Sequence, residues 1–170
     1  MSKKHFFLSE VFGVIFIATL GIFLKCLPNE LTNSEVMQLI VPIRISVWEE
    51  IKVFIGPYCF WCMLQLLAIR PPKRKFIATK VFSLYFFICF ILVSFEISNN
   101  LNKEMCFLPD FSLIFLSLLL SQLISYRIIV SRLFLDPFFF ISCICLVLFC
   151  CLCVLFTFFP PRLEVFYDFS

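Results

Sequence analysis

Charge is scarce in this sequence. Asp, Glu, Lys and Arg make up 15% of the 170 residues, against 62% for hydrophobic types. A soluble domain is nearer a quarter charged and about half apolar. One of this length could not hide the apolar surplus from water. Histidine is almost missing: His5 is the only one. No apolar run therefore offers an imidazole, and no metal or cofactor is expected. A long basic tail and nucleic-acid-reading motifs are lacking too, and the net charge is only +3, which leaves nucleic-acid binding unsupported. Glycine numbers 3, against 26 phenylalanines. The phenylalanines are spread over every segment, as codon bias in an AT-rich genome would leave them, and they also suit packing against lipid tails.

What remains is an all-α pattern. A membrane-spanning helix needs about 20 mostly apolar residues. Five stretches qualify, at about 6–27, 47–69, 76–97, 106–129 and 136–159. They predict one integral membrane domain over residues 1–170, a bundle of about five transmembrane helices with the lipid bilayer as its partner. Lys3 and Lys4 precede the first stretch, as in a signal peptide. Its end, Leu24-Lys25-Cys26-Leu27-Pro28, has no small-x-small cleavage site, and Lys25 ahead of Cys26 argues against lipoprotein processing. The helix is expected to be retained. A polar loop follows between Pro28 and Pro42, with a short surface helix over Ser34 to Ile40. In the second stretch the purely apolar part, Val53 to Ile69, is short, and Pro57 after Gly56 should kink it. Arg70-Pro71-Pro72 ends it. A polar turn is expected from Ser98 to Glu104, and Pro160-Pro161 stops the fifth stretch. No internal repeat is present.

Lys and Arg in the short loops set the orientation. With the N-terminus inside, nine lie on the cytoplasmic side: Lys3, Lys4, Arg70, Lys73, Arg74, Lys75, Lys80, Arg127 and Arg132. Five lie outside: Lys25, Arg44, Lys52, Lys103 and Arg162. The expectation is a cell-membrane protein with a cytoplasmic N-terminus and an external C-terminus. Residues Arg70 to Lys75 are read as the topogenic signal, with attraction to anionic lipid, at about 1 kcal/mol per basic residue, as the second reading. Eight of the ten cysteines lie in apolar runs, where Cys behaves as a small hydrophobe. Only Cys26 and Cys106 fall near segment ends on one side, within reach of a bridge.

The most distinctive segment is Ser46-Val47-Trp48-Glu49-Glu50-Ile51-Lys52. Ser46 is a good N-cap with Glu49 at the third helical position, a capping box. Glu49 and Lys52 are three apart and share a helix face. One reading is an interfacial helix start, with Trp48 at the headgroups and the charges wet. The other is a polar site at the mouth of the bundle, formed by Ser46, Trp48, Glu49, Glu50 and Lys52, because carboxylates in a membrane segment are costly and usually have a task.

Ser-Val-Trp-Glu-x-x-Lys over Ser46 to Lys52, with Phe-Thr-Phe-Phe-Pro-Pro over Phe156 to Pro161, resembles a family of small multi-pass membrane proteins from low-GC Gram-positive bacteria, classed as a domain of unknown function. Thr157, Pro160 and Pro161 belong to its C-terminal motif, and Phe166 follows it. The resemblance implies a membrane address and no activity. The family usually has Asn-Glu before the Ser, where this chain has Arg44 and Ile45, and often His after the motif Glu, where Glu50 stands here.

Glu49-Glu50 also resembles the start of the prenyl-protease-like intramembrane enzymes. Those need an Arg where this chain has Phe54, and His residues on other helices, which are missing here. Cys59-Phe60-Trp61-Cys62 has the spacing of a thiol-redox pair or half a metal site, but it stands alone inside a helix. Glu10 and Glu96 lie near segment ends and are expected at the interface. Gln65, Gln122 and Thr157 could hydrogen-bond across helices, at about 0.6 kcal/mol each. The function expected is non-enzymatic: a small transport component, or an accessory subunit bound to other membrane subunits. The alternative is an intramembrane enzyme using Glu49 as acid or base.

Overall fold

The computed structural model describes residues 3–27, 46–101, 111–131, 136–159 and 161. Among them are five α-helices and no strand: α1 (Lys3–Lys25), α2 (Val47–Ile69), α3 (Lys73–Leu101), α4 (Phe111–Val130) and α5 (Phe139–Phe158). A 3-10 turn, Asp136–Phe138, leads into α5. All five are long and apolar enough to cross a membrane. At about 1.5 Å per residue, α1 is about 34 Å long, close to the hydrocarbon thickness of about 30 Å. Backbone groups in lipid must bond among themselves, so apolar runs of this length become helices.

Two helix starts lie ahead of the apolar runs, at Lys3 and Lys73. Basic residues can extend a first turn because their long stems reach water. The helix α3 also continues through Ser98, Asn99 and Asn100, where the sequence predicts a turn. No Gly or Pro interrupts it there, and an established helix propagates readily. The expected surface helix at Ser34 to Ile40, Arg44 and the expected start of α4 at Cys106 lie outside the described residues.

Ser46 caps α2 from an extended backbone, and its Oγ accepts the Glu49 N–H at 3.3 Å. The helix runs on through Pro57 to a left-handed C-cap at Arg70 (φ 49°). Pro71 and Pro72 then force a tight return into α3.

Helices α1 to α4 close a ring, each touching the next and α4 touching α1. The two glycines of α1 make this closeness workable. A Cβ on Gly13 would collide with the Trp61 indole, and one on Gly21 with the Phe54 ring. Each glycine is a socket for an aromatic side chain of α2, the close approach that small residues give membrane helices. Ile17, Phe54, Leu84, Phe87, Ile91 and Leu118 fill the centre. Outside the ring, α5 lies against α3, with 6% of its spanning window buried against 33% or more in the other four. Its attachments include the Tyr85 hydroxyl, which donates to the Cys145 carbonyl at 3.0 Å, and a Tyr85–Phe149 ring contact.

Candidate functional site

Glu10 lies seven residues into α1, counting from Lys3, and Lys80 seven into α3, counting from Lys73. Both are therefore about 10 Å beyond their helix starts. These starts sit at the same end of the bundle as the ends of α2 and α4. Gln65 of α2 donates to Ser9 of α1 at 2.9 Å, and Lys75 of α3 donates to the Ser131 carbonyl after α4 at 2.5 Å.

At that depth the two charges meet. Lys80 Nζ donates to Glu10 Oε1 at 2.9 Å and to Oε2 at 2.7 Å. Its third donor goes to Gln122 Oε1 of α4 at 2.8 Å. An ammonium has three protons, so Lys80 is saturated. Ser125 of α4 donates to Glu10 Oε1 at 3.1 Å. The Phe76 ring lies 5.6 Å from Nζ. Neighbouring bonds fix the frame: Tyr58 OH donates to the Lys80 carbonyl at 3.2 Å, and Ser83 Oγ to the Ser121 carbonyl at 2.6 Å. Glu10 is 1% exposed and Lys80 4%.

This corrects two expectations. Glu10, expected at the interface, is buried in the bundle, and Lys80, counted with the cytoplasmic basic residues, is buried beside it. The cause is helix phase. Phe6, Glu10, Gly13, Val14 and Ile17 are all buried on one face of α1, and Phe76, Lys80, Leu84, Phe87 and Ile91 on one face of α3. Isolated charges are too costly to leave in hydrocarbon, so each is retained inside by the other. Setting aside the buried Lys80 and Lys52 turns nine against five into eight against four, which keeps the same bias.

Two clefts flank the pair. One, of about 160 Å³, lies between α1 and α4, with Glu10 and Gln122 at its polar end and Val11, Ile15, Leu119 and Leu123 among its walls. The other, of about 390 Å³, is lined by Tyr58, Cys59, Cys62 and Lys80 of α2 and α3, and by Cys143 of α5. Two amide atoms nearby, Gln122 Nε2 and Gln65 Oε1, are buried without a hydrogen-bond partner among the described residues.

A second polar cluster occupies the opposite end, about 22 Å away along α1 from Glu10 to Lys25. Lys25 Nζ is 2.5 Å from Glu50 Oε1, and Lys52 Nζ is 2.6 Å from Glu49 Oε2. Ser46, Trp48, Glu49, Glu50 and Lys52 are all buried, the last at 4% exposure. For Glu49 and Lys52 the reading of wet charges is therefore replaced by a compensated ion pair inside the protein, while Lys25, the partner of Glu50, stays half exposed. The Trp48 ring meets Phe156 of α5 edge-on at 5.4 Å. Thr157 is buried, and its hydroxyl donates to the Cys153 carbonyl at 2.8 Å. The Ser46–Lys52 segment and the C-terminal motif, about a hundred residues apart, thus share one end of the bundle. Pro160 lies outside the described residues and Pro161 is half-buried. Glu96 is exposed on α3. Cys59 and Cys62 are free thiols, as is Cys26, while Cys106 lies outside the described residues.

The sequence reading singled out neither Lys80 nor Ser125. One signal was there: Ser117, Ser121, Gln122 and Ser125 recur every three or four residues along α4 and are buried. That polar stripe marks the face toward which unpaired charges on other helices must turn.

The chain belongs to a family of unknown function, DUF6512, whose sequence model matches residues 1–170. This agrees with the family resemblance carried by the sequence. No curated protein and no solved structure matches the chain. The five helices among the described residues, each long and apolar enough to span a bilayer, make it a multi-pass membrane protein.

Proposed function

We propose that the protein is a small transport component of a cell membrane, with the Glu10–Lys80 pair as its working group. The observation that carries this reading is the placement of both charges inside spanning segments, nearly sealed from outside. Ionisable side chains at such positions are rare and mark ion pathways and proton relays. Protonation of Glu10 would weaken its hold on Lys80, and the loosened ammonium would seek another acceptor. That gives a two-state element driven by one proton.

The test uses purified protein in lipid vesicles containing a pH-sensitive dye, with an imposed potassium diffusion potential. Proton flux above that of empty vesicles is expected, with flux lost in Glu10→Gln and Lys80→Met. Flux absent from the wild type, or unchanged in variants that fold, overturns the reading.

An accessory role beside other membrane subunits is the second reading. Its support is α5, whose Phe140, Ile144, Val147 and Leu148 are exposed. Glu49 draws less support as an acid or base, because Lys52 already holds its carboxylate. The proposed orientation keeps the N-terminus cytoplasmic and the C-terminus outside, on the basic bias of the Arg70–Lys75 turn. A reporter fused after Ser170 that read as cytoplasmic would overturn that orientation.

A further inference from the structure

The cleft between α1 and α4 has an unusual division of chemistry. Its walls, Val11, Ile15, Leu119 and Leu123 among them, are aliphatic, and its polar end consists of Glu10 and Gln122. Glu10 Oε1 accepts from Lys80 and Ser125, and Oε2 accepts from Lys80. Gln122 is half engaged. Its Oε1 accepts from Lys80, while Nε2 has no partner among the described residues. The residue is 1% exposed. An amide N–H buried without an acceptor is strongly disfavoured, and no side chain of the cleft walls can serve it.

We propose that this cleft binds a membrane lipid through an acyl carbonyl oxygen that accepts from Gln122 Nε2, with the adjoining chain against Val11, Ile15, Leu119 and Leu123. Two features select this class. The free group is a donor, so the ligand must bring an acceptor. The aliphatic walls exclude a hydrophilic solute. A water bridging Gln122 Nε2 to Glu10 Oε2 is the competing occupant; it would give an ester probe no advantage over a hydrocarbon. The site goes beyond the transport reading and does not depend on it: lipid would bind here whether or not the ion pair moves protons.

Two photoreactive probes of equal chain length test this in vesicles containing the full chain. One is a diazirine-bearing acyl ester, the other a diazirine-bearing hydrocarbon without oxygen. The ester is expected to label α1 and α4 around Val11, Ile15, Leu119 and Leu123 about five- to tenfold more than the hydrocarbon, the margin of one hydrogen bond in an apolar setting. Gln122→Met should bring the ester down to the hydrocarbon level. Gln122 also bonds Lys80, so a second variant is needed that leaves the ion pair alone. Leu123→Trp, which fills the cleft, should reduce labelling by both probes. Equal labelling of the wild type by the two probes, or ester labelling that survives both substitutions, overturns the proposal.

Discussion

Lys80 reaches Glu10 across seventy residues of chain and bonds both oxygens of its carboxylate, at 2.7 and 2.9 Å. A bidentate contact at that depth links α1 to α3 across the ring, and Gln122 and Ser125 bring in α4. Breaking one side of such a pair is worse than removing both, because it leaves a buried charge alone. Glu10→Gln or Lys80→Met should each cost about 3–5 kcal/mol. The double variant should return to within about 2 kcal/mol of the wild type, since the charges vanish together. Thermal unfolding in detergent, arranged as a double-mutant cycle, measures the coupling. Additive losses would show that the two residues do not stabilise each other.

The glycine sockets of α1 predict asymmetric tolerance. Gly13→Ala and Gly21→Ala place a methyl group against Trp61 and Phe54, and forced displacement in a packed core costs about 1–3 kcal/mol. Gly56→Ala meets nothing within 4 Å beyond its chain neighbours and should be nearly neutral. In a Trp48→Phe background, Gly13→Ala should also shift Trp61 fluorescence. An unchanged spectrum and melting temperature would mean that the indole does not sit on Gly13.

Differences in burial rank the ion pairs of the second cluster. Lys25 is 51% exposed although Glu50 is not, and a half-wet pair contributes about 0–1 kcal/mol. Glu50→Gln, which leaves only the half-exposed Lys25 to be rehydrated, should therefore lower stability by less than about 1 kcal/mol. Glu49→Leu removes the carboxylate that Lys52, itself 3% exposed, meets at 2.6 Å, and should cost about 3 kcal/mol or more. Equal losses in the two variants would contradict the burial described here.

Thiol chemistry reads the orientation. Cys26 is exposed at the end of α1, in the turn that follows Lys25. A charged, membrane-impermeant maleimide added to intact cells should label it in a Cys106→Ser background. Thiols within the spans, such as Cys89 and Cys150, should resist the same reagent, because lipid excludes its charge. Labelling of Cys26 only after the membrane is opened would reverse the proposed topology.

Helix type and number were legible because apolar length is a one-dimensional property that a sequence displays directly. The Ser46 cap was legible for a related reason: its partner, Glu49, is only three residues away. The Glu10–Lys80 contact is different. It depends on which face of α1 and of α3 turns inward, and in lipid an apolar face may point either way. Position along the chain puts Glu10 near a segment end and Lys80 on the cytoplasmic side of its stretch. Neither position carries information on rotation about the helix axis. The serine stripe of α4, together with the matched depths of Glu10 and Lys80, contained the missing phase information.

A paired carboxylate and ammonium behave as a neutral couple toward the voltage across the membrane. Shifting Glu10 and Lys80 together moves no net charge, so the field does no work on the closed pair. Separating them along the membrane normal is different, because each unit charge carried across the full field is worth about 2.3 kcal/mol per 100 mV. The contact that hides both charges from lipid therefore also hides them from the electric field, and opening it would make the protein voltage-sensitive.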